Sequence, residues 1–268
     1  MALIASLKTI IEGKRMNRLA VLFLALTACG TGGDNDPDAG GTGPVAPDGG
    51  PVAGGALALE FSHEIQGQPM TINNASTLAD GSPISFSTFR YWFSNLVLVG
   101  DAGVTDYVVP DCYYLIEQTL DSTRVRIDLS DVPSGRYLGL RFNVGVDEAR
   151  NHSLDTLAGE LSAGVGMSWN WNSGFIFMKA EGEVGLNSGG FEKSFTFHIG
   201  RDESLREVEL EHAFEVSADS GAQLRLRAEL TQLFEGITRE NNLSILGGSV
   251  AQTIADNYGA MWSVEASN

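Results

Sequence analysis

Apolar and polar positions alternate along most of this chain with a period of two, and that pattern predicts strands rather than helices. The alternating stretches are 56–65, 86–99, 107–115, 123–129, 135–144, 167–180, 191–199, 208–214 and 222–230. Gly, Asp, Asn, Ser and Pro separate them, as turns require. Helical spacing emerges only at 250–258, with a shorter candidate turn at 154–161. The expected class is therefore all-β: an antiparallel β-sandwich or partly closed barrel with a short C-terminal helix. The run 86–99 is long for one strand and is interrupted by Arg90 and Asn95, so it reads as two strands or one bent strand.

The first residues follow a different pattern. Lys14, Arg15 and Arg18 precede a short apolar run from Leu19 to Leu26, and Thr27-Ala28-Cys29 follows directly. Basic residues, a short apolar core, small residues and then a cysteine are the marks of a bacterial lipoprotein signal, in which the Cys29 thiol takes the lipid. Met16 fits as the true start. Gly30 after the cysteine, with no Asp there, points to the outer membrane. Residues 29–55 are then the lipidated cysteine and a Gly/Pro/Asp linker, with too few large apolar side chains to offset the entropy of ordering. That leaves 56–268 as the folded domain, enough for one sizeable core.

Lys8, Lys14, Arg15 and Arg18 take four of the seventeen basic residues and sit with one acid, Glu12, so the remainder is more acidic than the formal net charge of −17 implies. That charge argues against nucleic acid and against adhesion to anionic lipid. With Cys29 committed to lipid, Cys112 has no partner for an intramolecular disulfide, and no CxxCH for covalent haem is present. Phosphate-binding glycine loops, HExxH, GxSxG and EF-hand loops are also missing. Glu181 and Glu183 are paired carboxylates without a companion base. No enzyme is expected.

Rare residue types concentrate between 167 and 200. Trp169 and Trp171 stand two apart, and a strand would place both on one face with Asn170 and Asn172 on the other. Phe195 and Phe197 share a face, and His198 turns to the opposite one. His63 is in phase with Phe61. His152 follows Asn151 in a loop-like stretch, and His212 is in phase with Val208 and Leu210.

Several blocks carry a family likeness in order: Phe61-Ser-His63 with Gly67-Gln-Pro-Met70, Phe89-Arg-Tyr-Trp-Phe-Ser-Asn-Leu-Val-Leu98, Gly139-Leu-Arg-Phe-Asn-Val-Gly-Val-Asp147, and Asn151-His152. The run Met167-Ser-Trp-Asn-Trp-Asn-Ser-Gly-Phe175, then Glu181-Gly182, Phe197-His-Ile-Gly200, Ala255-Asp-Asn-Tyr258 and Met261-Trp262 follow. Together these blocks resemble the MbnP-like copper-binding proteins, relatives of MopE and CorA, over roughly 57–265. The resemblance implies an extracytoplasmic copper protein that acquires, stores or hands over the metal. It implies His63, His198 and His152 as candidate ligands, with Trp169 or Trp171 as a neighbouring group or as a ligand after oxidation to kynurenine. A dihaem peroxidase-like partner would perform that oxidation. In MopE the modified tryptophan lies two residues before a histidine ligand; here that position before His63 is Phe61, which cannot become kynurenine. Trp92 and Trp262 are further tryptophans, and Met167 and Met178 further soft donors. The rival reading is a metal-free cell-envelope or carbohydrate-binding lipoprotein, with exposed tryptophans stacking on sugar rings. The two readings part on geometry: convergence of His63 and His198 for copper, an open Trp169–Trp171 face for sugar.

Overall fold

A computed structural model describes residues 54–152, 159–169 and 174–266. The expected strands 56–65 and 135–144 are found as β1 (Gly54–Ile65) and β5 (Gly135–Val144). The long apolar run is one bent strand, β2 (Pro83–Gly100), in which Asn95 takes φ 53° at a register shift between Ser94 and Val97. β3 (Tyr113–Thr119) and β4 (Arg126–Pro133) follow. β6 (Ile176–Val184), β7 (Lys193–Gly200), β8 (Arg206–Val216) and β9 (Ala222–Glu229) match expected strands, whereas the expected strand at 107–115 is broken: Tyr107–Val108 forms a short strand and β3 starts only at Tyr113. The expected strand at 167–180 begins only at Ile176; before it, Ser168 and Phe175 form a single bridge. The C-terminal helix α1 (Gly248–Ala260) is present, and a last strand absent from the sequence reading, β10 (Trp262–Ala266), follows it. Of the candidate turn at 154–161, residues 154–158 lie outside the described residues.

Two open sheets face one another, so the sandwich holds and the barrel does not. The small sheet runs β10-β9-β1, with β4 on the far side of β1. The large sheet runs β8-β5-β2-β6-β7, with β3 also paired to β2. Pairing is antiparallel almost throughout, but β1 and β9 are parallel, Leu57 opposite Ala222 through Glu64 opposite Glu229. A parallel pair needs a long crossover, and here the whole large sheet supplies it.

The main core lies between the sheets, with Phe61, Phe86, Phe89, Tyr91, Phe93, Phe142, Phe195 and Phe197 among its buried rings. A second buried cluster covers part of the opposite face of the large sheet. It contains Trp92, Leu115, Met167, Trp169, Phe175 and Phe177. Both faces are therefore apolar over this patch, and alternation gives way to the continuous runs Tyr91-Trp92-Phe93, Tyr113-Tyr-Leu-Ile116 and Phe175-Ile-Phe-Met178. Continuous apolar runs are what a strand covered on both sides needs.

Candidate functional site

The parity of β1 sends His63 into the main core with Phe61. The imidazole is 4 % exposed and lies edge-on to the rings of Phe89 and Tyr91. Nδ1 bonds Gln118 Oε1, and Nε2 lies 3.1 Å from the Tyr91 hydroxyl. An amide oxygen only accepts, so Nδ1 carries the proton and Nε2 accepts from Tyr91. Both nitrogens are thus in use. Burial disfavours the imidazolium and lowers the pKa to about 4, against a smaller opposing effect of the Gln118 bond.

His198 stands on the other side of the large sheet. In β7 the side chains of Phe195, Phe197 and Ile199 enter the main core, which sends His198 outward. Its cross-strand partner in β6 is Lys179, and Glu181, one step diagonal, places Oε1 2.7 Å from His198 Nε2. Lys179 Nζ is 3.4 Å from the same oxygen. Burial works against the Glu181 charge, but the bonds from His198 and Lys179 outweigh it and hold the carboxyl below its usual range. The Trp169 ring lies 6.5 Å from the imidazole, centre to centre.

The expectation that His63 and His198 converge is therefore corrected. Two imidazoles sharing an ion must each bring a nitrogen to about 2 Å from it. Here His63 packs against the inner face of β2, while His198 rises from the outer face of β6 and β7, with the sheet between them. Period-two parity is the cause: each histidine is fixed by the phenylalanines of its own strand, and those phenylalanines fill one shared core.

His152 is more than half exposed and gives Nε2 to Asp202 Oδ2 at 2.7 Å. Its neighbour Asn151 is 1 % exposed, accepts from the Phe175 backbone N–H at 2.8 Å and donates to Asp202 Oδ1 at 2.7 Å. The backbone N–H of Trp169 donates to the Gly174 carbonyl at 3.1 Å. Asn151 thus fastens one end of the tryptophan stretch, where Gly174 has φ 134°, and Trp169 lies against Gly200 at the other. His198 and His152 therefore flank the same stretch. Asp202 and Gln118 were not found in the sequence reading, and Asn151 entered it only as the neighbour of His152; their partners are 24 to 55 residues away along the chain, beyond any local signal.

Trp169 is 7 % exposed, and Trp92 and Trp262 are buried. None of the three offers an open platform for a sugar ring. Among the described residues Trp92 Nε1 meets no hydrogen-bond partner, whereas Trp262 Nε1 donates to the Tyr258 carbonyl at 2.9 Å. Met178 fills the main core and Met167 the second cluster. Trp171 and Cys29 lie outside the described residues. Among the described residues no three His, Cys, Asp or Glu side chains gather as a ready metal cage. Two described histidines, His198 and His152, present an imidazole backed by a carboxylate, as metal-binding histidines usually are, and of the two only His198 is largely buried beside a tryptophan ring.

The model of the MbnP family matches residues 54–253. The chain belongs to the MbnP family. Among solved structures it is similar to MbnP from Methylosinus trichosporium, at 17 % identity and a TM-score of 0.52, with 81 % of this chain and 100 % of that chain covered. That likeness concerns the fold. None of the curated proteins matches. The MbnP family is an extracytoplasmic one. No described helix is long and apolar enough to cross a membrane.

Proposed function

We propose that this MbnP-family protein binds copper outside the cytoplasm and acquires, stores or hands over the ion without turning over a substrate. The site we propose lies on the outer face of the large sheet. His198 would supply an imidazole nitrogen, and His152 would stand at the rim. Trp169 or Trp171 would lie beside the ion, or join it as kynurenine after oxidation by a dihaem peroxidase-like partner. Copper outside the cytoplasm favours imidazole ligands, and kynurenine would add an aromatic amine that an indole lacks. His63 has no place in this reading, because Gln118 and Tyr91 already use both of its nitrogens. The leader-like start and Cys29 support anchoring to the outer membrane through lipid, with residues 30–55 as a tether. The observation that carries the proposal is His198, backed by Glu181 and set against Trp169.

The test is copper titration of the purified chain, with metal content and intact mass read on the same samples, prepared with and without a co-expressed dihaem partner. One equivalent of copper is expected, lost in His198→Ala and kept in His63→Gln. A mass change confined to the co-expressed sample would place tryptophan oxidation in the site. Copper retained in His198→Ala, or none in the parent protein, overturns the proposal.

A further inference from the structure

The bond between Glu181 and His198 decides which imidazole nitrogen faces outward chemistry. An ionised carboxylate has no proton to give, so the hydrogen between Glu181 Oε1 and His198 Nε2 belongs to the ring. A neutral imidazole carries one N–H, so Nδ1 is left with the lone pair. Among the described residues nothing donates to that Nδ1. Lys179, 3.4 Å from the same carboxylate oxygen, favours its ionised form. The antiparallel register enforces the arrangement: Lys179 opposes His198, and Glu181 is its diagonal neighbour on the same face, within reach of a long side chain.

We propose that Glu181 is a positioning residue that fixes His198 in the Nε2–H form and makes Nδ1 the metal-binding nitrogen. The metal half of this proposal rests on the copper reading above; the half that concerns the ring does not. An incidental surface pair would leave the choice of nitrogen to solvent. A carboxylate that anchors the far nitrogen also sets the ring plane and raises the basicity of the near one.

The experiment begins on the metal-free full chain, with the ring nitrogens of His198 observed by long-range proton–nitrogen NMR at neutral pH and assigned with His198→Gln. The Nε2–H form is expected to dominate in the parent. Both forms should appear in Glu181→Ala, and Glu181→Gln, whose amide oxygen still accepts, should restore the parent pattern. Copper is then added to chain labelled at histidine Nδ1, and the paramagnetic resonance spectrum of the copper(II) form is recorded. Direct coupling to the labelled atom and a 10- to 100-fold weaker affinity in Glu181→Ala are expected. An Nδ1–H form in the parent, or a pattern unchanged by Glu181→Ala, overturns the positioning role. Direct coupling to Nε2, or a carboxylate ligand in its place, overturns the assignment of Nδ1. Absence of copper in the parent sinks the copper reading and the metal half with it, while the metal-free spectra still decide the role of Glu181.

Discussion

Trp169 and Gly200 touch where β7 ends: a Cβ built on Gly200 would lie 3.0 Å from the indole Nε1 and 2.5 Å from the Phe175 carbonyl oxygen. The glycine of Phe-His-Ile-Gly is therefore a matter of clearance. Gly200→Ala should destabilise the protein by about 1–3 kcal/mol, the usual cost of overpacking, and should shift the emission of the tryptophan set. Urea unfolding followed by fluorescence checks both. A variant with unchanged midpoint and emission would mean that the indole does not press on this glycine.

His63 should make the protein sensitive to acid. Its pKa is about 4 when folded and about 6.5 when the chain is open. Between those values the unfolded chain binds the proton and the folded one does not, so stability rises with pH there. The contribution is fully present above about pH 6.5 and is lost as pH falls towards 4. The full difference is on the order of 3 kcal/mol. Denaturant titrations from pH 7.5 to 4 should show this slope, and His63→Leu should flatten it. An equal slope in the variant would assign the acid sensitivity to other groups.

Asn151 should be worth more than its polar character suggests. Truncation to Ala leaves the buried Phe175 N–H without an acceptor and removes a donor from Asp202. A loss of about 1–3 kcal/mol is expected for the stranded N–H, with faster hydrogen exchange at the Phe175 amide. Unchanged exchange there would show that Asn151 does not fasten this end of the tryptophan stretch.

Much of this architecture could be read from alternation, because a period of two survives any tertiary arrangement. The sequence places Phe195 and Phe197 on one face of a strand and His198 on the other, and the structure agrees. It also places His63 in phase with Phe61. What alternation cannot supply is which face of one strand looks at which face of another. Once both phenylalanine sets are known to fill the same core, His63 and His198 must lie on opposite sides of the large sheet. Trp169 eluded the pattern for a different reason. The apolar residues at 167, 169, 175, 176 and 177 serve the second cluster, and a buried stretch that folds over a sheet looks, in sequence, like more of the sheet. The chemistry around the imidazoles was the least legible part. Glu181 was visible as a carboxylate on a strand, but its bond to His198 depends on cross-strand register, and Gln118 reaches His63 only through the stacking of the two sheets.

The parallel pairing of β1 with β9 has a consequence for how the molecule comes into being. Leu57 must find Ala222, and Glu64 must find Glu229, across about 165 residues. Contacts of such long range are slow to form, because the loop must close before the contact repays it. A chain that emerges from a ribosome or a membrane pore with its N-terminus first can pair its opening strand with β4, but cannot fill the other edge of that strand until β9 has appeared, nor finish the small sheet until β10 follows. One edge of its first strand therefore waits until most of the protein has appeared. The architecture delays commitment to a compact shape, which suits a polypeptide that must stay threadable until its passage is complete and leaves it dependent on protection from aggregation in the meantime.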